Sequence, residues 1–362
     1  MDRALGYGPR GCGFDSRRVH ETARRLILGR FFCIFENYIQ SMTSMAKISY
    51  TEDILKDGFE RREIPLRDDY EGRAMSMLVR RLAVPGNGQA VLYIHGFNDY
   101  FFQKEMAFRF NERGIHFYAL DLRKYGRSWL PHQKFNDIRN LRAYYEEIGE
   151  ALRIIREEGS RYTVLMGHST GGLIVTLFAK ERADRTLFDA IVLNSPFFEF
   201  NKSRMVRMLL PLVAFIGKYV PEVKIAGGFT EEYGKYLHRS YRGEWEYDLT
   251  WKPHVAPCIN LGWVRAIYKA QRELKKPFRV AHPFLVLHSE KSVTNEKDKE
   301  QIQTRDSILN VEDIKRIARN IRGKVDMVAI PGGLHDLLLS RKEVREKVYR
   351  EIFVFFKYCN KP

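Results

Sequence analysis

The stretch Tyr162–Lys180, which reads YTVLMGHSTGGLIVTLFAK, decides the fold of this 362-residue chain. Its first five residues are apolar or β-branched and predict a short buried strand. Gly167-His168-Ser169-Thr170-Gly171 follows as a turn, and the apolar run after it has the length of a helix. In such a turn, glycines on either side of the serine avoid the backbone collisions that a Cβ would cause. The serine hydroxyl is then exposed above a sheet, beside a helix N-terminus that favours negative charge.

Ser169 is therefore the predicted nucleophile. A serine in an ordinary glycine-rich turn is the alternative, and the strand and helix on either side favour the nucleophile. Such a serine reacts only with the help of a general base, an orienting acid and an oxyanion hole. The strand, turn and helix resemble those of α/β-hydrolases, and this resemblance implies the chain order serine, then aspartate or glutamate, then histidine.

His335 is the predicted general base. It follows the strand-like run Lys324–Ile330 and lies on the glycine-rich segment Pro331–Asp336, late in the chain. Most of the ten histidines are explained more simply as surface or packing residues. His335 differs from them because it combines the required order after Ser169 with a loop that follows a late strand.

An oxyanion hole needs backbone N–H groups that point at the reacting oxygen. Thr170 directly follows the nucleophile and is predicted to supply one of them. The run Val91–Ile94 predicts a strand that ends in His-Gly before a loop, so Phe97 is predicted to supply the other. An ordinary strand-to-helix turn would give the same pattern and stays open, because backbone donors leave little trace in a sequence.

With these elements the chain resembles the α/β-hydrolase superfamily, and within it the branch of serine aminopeptidases, lysophospholipases and monoacylglycerol lipases. Asp121–Ser128, DLRKYGRS, is similar to the D-x-R-G-x-G-x-S loop of that branch, with Lys124 where glycine is usual. Leu193–Pro196 is similar to the strand end that leads into the cap domain of the branch. Leu285–Glu290 is similar to the strand that normally delivers the acid. The resemblance extends from Phe59 to the C-terminus.

The acid departs from the family pattern. In the branch this strand continues H-G-x-x-D, whereas here Ser292 stands at the position of the aspartate. A serine cannot stabilise an imidazolium as a carboxylate does, so either the triad is degenerate or the acid has moved elsewhere in the chain. Asp306 is the first residue of DSILNV, a segment that resembles the D-x-x-V ending of the family, so Asp306 is the predicted acid. Lys291–Arg305 is then a polar insertion between the strand and the acid. A surface aspartate in a charged insertion is the alternative reading, and the rival carboxylates are Asp298, Asp313 and Glu290.

Nearly continuous apolar runs indicate strands that are buried on both faces of a parallel sheet. Six such runs recur in the chain: Val91–Gly96, Ile115–Leu122, Tyr162–Ser169, Ala190–Ser195, Pro283–His288 and Val325–Ile330. Helical stretches between them, such as Leu141–Ile155, imply right-handed crossovers. Phe59–Leu66 and Arg73–Val84 predict an antiparallel pair upstream, and Glu343–Lys357 predicts a closing helix. The predicted fold is thus an α/β, doubly wound, mostly parallel sheet of the α/β-hydrolase type, with a helical cap inserted after the sixth strand.

The alternation of strands and helices stops between Pro196 and His282. Residues 45–197 and 282–362 are therefore predicted to form the two parts of the hydrolase core, and residues 198–281 the cap. The cap contains the apolar run Met208–Gly217, three of the four tryptophans, and the preceding basic residues Lys202, Arg204 and Arg207. We interpret the region as a lid over Ser169 that binds an acyl chain and touches lipid with a basic rim. The need of a cap to bury a core of its own is the alternative for the individual side chains.

Residues 1–44 look unlike the rest of the chain and are predicted to be a non-native or disordered leader. Gly11–Arg17 resembles a peptide translated from the T-arm of a transfer RNA, so the natural start is expected at Met42 or Met45. The apolar run Leu26–Ile39 is too short for a membrane span and is interrupted by charges. It also lacks the apolar core and cleavage site of a signal peptide.

Composition limits the remaining possibilities. An apolar content of 44% favours a sizeable core over disorder, and four scattered cysteines favour a reducing compartment, so a cytoplasmic location is expected. The chain has none of the common metal-binding or phosphate-binding loop motifs, and the proposed chemistry requires no cofactor and no metal. A net charge of +16 raises the possibility of nucleic-acid binding. The longest concentrations of basic residues are short pairs such as Arg61-Arg62 and Lys275-Lys276, and no nucleic-acid motif accompanies them, so a hydrolase is favoured over a nucleic-acid binder. A weak attraction to anionic lipid surfaces is the contact that the charge leads us to expect.

The sequence thus predicts a serine hydrolase of carboxylic esters that forms an acyl-enzyme on Ser169. The resemblance implies a lipid-like, small-molecule substrate such as a monoacylglycerol or a lysophospholipid. An aminopeptidase or amidase of the same fold is the alternative within the enzymes. A non-catalytic binding protein on a hydrolase scaffold is the alternative outside them, because Ser292 replaces the usual aspartate.

Overall fold

The computed structural model describes residues 49–182, 187–225, 231–295 and 297–359. The predicted leader, residues 1–44, and the expected starts at Met42 and Met45 lie outside the described residues. Most of the described chain is built around one twisted sheet, whose strands alternate with helices as the sequence predicts.

Eight strands form the body of the sheet. In chain order they are β1 (Glu60–Asp69), β2 (Gly72–Arg81), β3 (Gln89–Ile94), β4 (His116–Asp121), β5 (Tyr162–His168), β6 (Ala190–Asn194), β7 (Phe284–Ser289) and β8 (Val325–Ile330). The spatial order is β1-β2-β4-β3-β5-β6-β7-β8, and the two-residue strand Thr51–Glu52 extends the sheet beyond β1. The pairs β1–β2 and β2–β4 are antiparallel, and all later pairs are parallel. The predicted doubly wound, mostly parallel α/β sheet is therefore confirmed.

Nine α-helices connect or flank the strands within the described residues. They are α1 (Lys104–Asn111), α2 (Tyr144–Glu157), α3 (Thr170–Glu181), α4 (Arg204–Tyr219), α5 (Glu231–Leu237), α6 (Leu261–Leu274), α7 (Lys299–Ile302), α8 (Val311–Ala318) and α9 (Lys342–Cys359). None of the helices in the described part of the chain is both long enough and apolar enough to cross a membrane. Three short 3₁₀ turns lie in the described residues: Gly126–Ser128, Leu141–Ala143 and Leu337–Leu339. Two pairs of two-residue strands lie outside the main sheet: Lys224–Ile225 with Ile259–Asn260, and Phe278–Arg279 with Ile321–Arg322.

Alternate side chains of each central strand enter two separate apolar cores. In β3, Leu92 and Ile94 pack in a core with helices α2, α3 and α6, while Val91 and Tyr93 pack in a core with α1 and α9. These four side chains are fully buried. A strand that is covered on both faces needs apolar residues at consecutive positions, which explains the continuous apolar runs in the sequence.

The ends of some elements differ from their predicted positions. The helix predicted over Leu141–Ile155 begins as the 3₁₀ turn Leu141–Ala143, because the Asn140 side chain accepts the N–H of Arg142 and fixes that turn, and α2 then runs to Glu157. β2 ends at Arg81, before the predicted Val84, since the N–H of Ala83 is donated to the His116 ring instead of a neighbouring strand.

The described parts of residues 198–281 contain α4, α5 and α6, which follow β6 and precede β7. We call this range the cap segment, and its limits stay a prediction. Helix α4 packs on α6 so closely that a Cβ on Gly217 would lie 2.4 Å from the carbonyl oxygen of Leu261. The segment follows the carboxyl end of β6, and some of its side chains line one cavity with Ser169.

Candidate active site

Ser169 lies in the sharp turn between β5 and α3. Its backbone has φ 51° and ψ −114°, a conformation that non-glycine residues rarely adopt and that is found at strained functional turns. A Cβ on Gly171 would lie 2.3 Å from the carbonyl oxygen of Ile94, and one on Gly167 would lie 2.7 Å from the backbone of Gly171. The glycines that flank Ser169 are therefore required by the close passage of backbone atoms.

The structure brings the three predicted catalytic residues into one hydrogen-bonded chain. Ser169 Oγ lies 3.0 Å from His335 Nε2, and His335 Nδ1 lies 3.0 Å from Asp306 Oδ2. A carboxylate can only accept a hydrogen bond, so the imidazole proton lies on Nδ1 and Nε2 accepts from the serine hydroxyl. All three side chains are buried. This is the geometry in which a histidine can remove the proton of a serine nucleophile.

The predicted insertion returns the chain to the position where the acid was expected. Ser292 and Asp306 form an isolated parallel bridge, in which Val293 donates to the Asp306 carbonyl and Asp306 donates to the Lys291 carbonyl. The Ser292 hydroxyl donates to the Leu309 carbonyl and accepts the N–H of Val311, which ties the two segments together. Asp306 therefore lies beside the residue that replaces the usual aspartate.

The rival carboxylates have other partners. Asp298 accepts the N–H groups of the first turn of α7, and Asp313 pairs with Arg207 and Arg316. Glu290 is exposed and lies 3.9 Å from the ammonium group of Lys291. Among the described residues, only Asp306 is brought to Nδ1 of His335 by a hydrogen bond.

Phe97 and Thr170, the predicted oxyanion donors, line the same cavity as Ser169 and His335. Thr170 is the first residue of α3, and the first N–H groups of a helix have no acceptor within the helix. Phe97 follows β3 on a loop that approaches the turn, since a Cβ on Gly96 would lie 3.2 Å from Ser169 Cβ. The arrangement can therefore present backbone N–H groups beside the nucleophile.

Three buried residues beside the predicted catalytic residues escaped the sequence analysis: Asp99, His168 and Asp336. His168 Nδ1 lies 3.8 Å from Asp99 Oδ2 and 3.8 Å from Asp336 Oδ2, and these three atoms have no hydrogen-bond partner within the described residues. The three side chains could ligate a metal ion, although the ammonium group of Lys252 already lies 2.7 Å from Asp99 Oδ1. Two of them are sequence neighbours of Ser169 and His335, which is the only signal that could have identified them.

Burial shifts the pKa values of His168, Asp336 and the neighbouring Tyr233. It lowers the pKa of His168 well below its usual range, and the nearby His335 lowers it further, so His168 is neutral. Burial also raises the pKa of Asp336, against the hydrogen bond that its carboxylate accepts from Asn194. Tyr233 accepts the N–H of Asp336 and keeps its own proton, because burial raises the pKa of its phenol well above the usual range.

A cavity of about 340 Å³ opens beside Ser169 and His335. Part of its wall comes from the core and most of it from the cap segment. The apolar part of the lining includes Phe197, Phe200, Leu210, Val213 and Trp263. The polar part includes Asn98, Tyr233, Lys252 and His254. Among the described residues of the cap segment, Trp263 is the tryptophan that lines this wall, whereas Trp251 packs edge-on against Tyr100. The apolar surface of the cavity is larger than its polar surface, and Ser169 lies in the same lining.

Comparison with known proteins is consistent with this geometry. The model of the family described as "Serine aminopeptidase, S33" matches residues 87–342, which is more than half of the chain. No curated protein matches the chain by sequence. Among solved structures, a soluble variant of the monoglyceride lipase of Saccharomyces cerevisiae, in complex with a substrate analogue, is 16% identical. It aligns with a TM-score of 0.59 over 87% of this chain and 96% of its own.

Two further solved structures share the fold. The monoacylglycerol lipase of Paleococcus ferrophilus is 18% identical, with a TM-score of 0.54 over 83% of this chain and 100% of its own. A thermostable carboxyl esterase of Bacillus coagulans, in complex with glycerol, is 13% identical, with a TM-score of 0.57 over 83% of this chain and 98% of its own. At such low identity these structures establish a shared fold.

Proposed function

Since the chain belongs to the serine aminopeptidase S33 family and has the α/β-hydrolase fold, we propose that it is a serine hydrolase of carboxylic esters. The observation that carries the proposal is the hydrogen-bonded chain from Ser169 through His335 to Asp306, with 3.0 Å at both steps. Its location at the wall of a largely apolar cavity supports an ester with an apolar acyl group.

The mechanism follows from the atoms that face one another. Ser169 Oγ attacks the ester carbonyl while His335 Nε2 takes its proton, and the carbonyl oxygen becomes an oxyanion. The N–H groups of Phe97 and Thr170 stabilise that charge. His335 then returns the proton to the departing alcohol, which leaves an acyl group on Ser169. Water hydrolyses the acyl-enzyme by the same proton transfers, while Asp306 keeps the imidazole proton on Nδ1.

We propose a lipid-like substrate, such as a monoacylglycerol or a lysophospholipid. The apolar lining from Phe197 to Trp263 supports an acyl chain, and the polar lining that includes Tyr233 and His254 supports a hydroxylated alcohol. Two of the structures that share the fold are lipases of monoglycerides by their names. The cytoplasmic location expected from the scattered cysteines stays a prediction.

A fluorophosphonate probe tests the nucleophile directly. The probe should label the purified protein, and Ser169→Ala should abolish the labelling. Ser195→Ala is a matched control, because Ser195 is also a buried serine with positive φ at the end of a neighbouring strand. Labelling that survives Ser169→Ala would assign another nucleophile, and a folded protein that never reacts would favour a non-catalytic binding protein.

A series of p-nitrophenyl esters tests the acyl site. Each methylene that enters an apolar pocket contributes up to about 0.8 kcal/mol, or about fourfold in kcat/KM, until the pocket is full. We therefore expect kcat/KM to rise with chain length and then level off. A preference for acetate would exclude the lipid-like substrate, and faster cleavage of aminoacyl anilides would favour the aminopeptidase alternative.

Helix α4 supports a contact with anionic lipid surfaces. Its outer face exposes a row of large apolar side chains: Met205, Met208, Leu209, Leu212, Phe215 and Tyr219. The exposed basic residues Lys202, Arg204 and Lys218 lie at the ends of this row. Apolar residues with flanking cations are typical of helices that lie in a lipid interface. Arg207, which the sequence placed in the basic rim, is instead tied to Asp313.

A further inference from the structure

The loop that carries Phe97 is fixed to the core at its start, and Asn98 Oδ1 also accepts from the core residue Asn136 over 3.4 Å. His95, at the start of the loop, accepts the N–H of Leu122 at Nε2 over 3.0 Å. Its Nδ1 therefore carries the proton and donates to the carbonyl of Gly96 over 2.7 Å. These bonds hold the backbone just before Phe97 against β4.

The three residues after Phe97 are all bound to one stretch of the cap segment, Asp248–Pro253. The Asn98 amide donates to the Pro253 carbonyl over 2.8 Å, and Lys252 Nζ lies 2.7 Å from Asp99 Oδ1. The Tyr100 hydroxyl accepts the N–H of Asp248 over 2.7 Å. Asn98, which carries the first of these bonds, has φ 54°, a backbone conformation that non-glycine residues rarely adopt.

The ion pair between Lys252 and Asp99 is the strongest of the three contacts. Asp99 is 1% exposed, and a buried carboxylate is costly unless a cation or several donors satisfy it. Its other oxygen faces the neutral ring of His168 and the second buried carboxylate, Asp336. Lys252 is thus the cation that keeps Asp99, and the loop next to Phe97, in position.

We propose that Lys252 is a positioning residue, which holds the oxyanion loop through Asp99 so that the oxyanion hole is complete only when Asp248–Pro253 is docked. The inference rests on the proposed function. Oxyanion donors act when they lie about 2.7–3.1 Å from the oxygen, and loss of one donor costs about 10²–10³ in kcat. A displaced loop moves the N–H of Phe97 and leaves that of Thr170, which belongs to α3.

The test compares Lys252→Met with Lys252→Arg, which keeps the charge. With p-nitrophenyl octanoate as substrate, Lys252→Met should lower kcat about 10- to 100-fold and leave KM within about threefold, because the oxyanion exists only in the transition state. Affinity for octylboronic acid, whose adduct with Ser169 carries a tetrahedral oxyanion, should fall by the same factor as kcat. Lys252→Arg should restore most of both.

Lys235→Met is the matched control, since Lys235 is a cap-segment lysine whose ammonium group pairs with Glu231 and not with Asp99. It should leave kcat unchanged. If Lys252→Met does not fold, Tyr100→Phe decides, because it removes only the hydroxyl that accepts the Asp248 N–H. It should lower kcat about three- to tenfold, as loss of one hydrogen bond of about 1 kcal/mol implies.

An unchanged kcat in Lys252→Met, or a raised KM with unchanged kcat, would overturn the inference. The second result would mean that Lys252 binds the substrate instead of holding the loop. Failure of the wild-type protein to react with fluorophosphonate would overturn the proposed function, so the two failures are distinguishable.

Discussion

Replacement of Asp306 by asparagine should abolish most of the activity through the histidine tautomer. In the wild type, Asp306 Oδ2 accepts from His335, and Oδ1 accepts the N–H groups of Ile308 and Leu309 over 2.8 and 2.7 Å. In the variant, the amide oxygen must stay at these two N–H donors, because an NH₂ group there would face donors. The NH₂ group then points at His335 Nδ1, which must accept, so the ring proton moves to Nε2.

The structure also sets the size of the effect. The active tautomer would require the opposite orientation of the asparagine amide, with its oxygen towards His335. That orientation would lose the two hydrogen bonds from Ile308 and Leu309, of about 1 kcal/mol each, so the inactive tautomer is favoured about 30-fold from this cause alone. The variant also loses the carboxylate that stabilises the imidazolium. In a serine triad the same replacement costs about 10⁴ in kcat, or about 5.5 kcal/mol. We expect a fall of about 10³- to 10⁴-fold, with KM little changed because Asp306 does not line the cavity.

Initial rates on p-nitrophenyl octanoate give kcat and KM, and thermal unfolding shows whether the variant is folded. Asp298→Asn is the matched control, because Asp298 accepts the N–H groups two and three residues ahead, as Asp306 does, but it lies away from His335. Its kcat should equal that of the wild type, and so should that of Asp313→Asn. A folded Asp306→Asn variant within tenfold of the wild-type kcat would refute the assignment.

Three further results are expected. Gly171→Ala should lower the free energy of unfolding, measured by urea denaturation, by several kcal/mol, because the added Cβ would lie 2.3 Å from a backbone atom. Gly149→Ala, where the space around the helix α2 is open, should raise the same quantity by up to about 1 kcal/mol. Burial lowers the pKa of His168, so below a pH of about 6.5 the His168 ring binds a proton in the unfolded chain but stays neutral in the folded protein. The free energy of unfolding should therefore fall as the pH drops through this value, by up to about 1.4 kcal/mol per pH unit, and less steeply in His168→Gln. Leu212→Asp with Phe215→Asp on α4 should weaken co-sedimentation with anionic vesicles and leave hydrolysis of a short soluble ester unchanged; equal vesicle binding would exclude α4 as the contact.

Local patterns were sufficient for most of the fold. The apolar run before Gly167 predicted β5, because a strand covered on both faces needs consecutive apolar residues, and the glycines at 167 and 171 predicted the turn. Both effects act over a few residues and leave a visible trace in the chain. The resemblance to the family and the mostly parallel sheet are confirmed. Ser169, His335 and Asp306 were named from sequence, and the structure brings them within hydrogen-bonding distance, while their catalytic roles stay proposals.

The contacts around the site depended on the tertiary structure. The bridge between Ser292 and Asp306 needs the intervening insertion to fold back, and no local pattern encodes where such a loop closes. The ion pair between Lys252 and Asp99 joins residues that are 153 positions apart. The sequence determined which segments are strands, turns and helices, because backbone preference and apolar periodicity are local. Only the tertiary structure decided which charged groups meet in the interior, because a buried charge is stable only where packing brings it a partner.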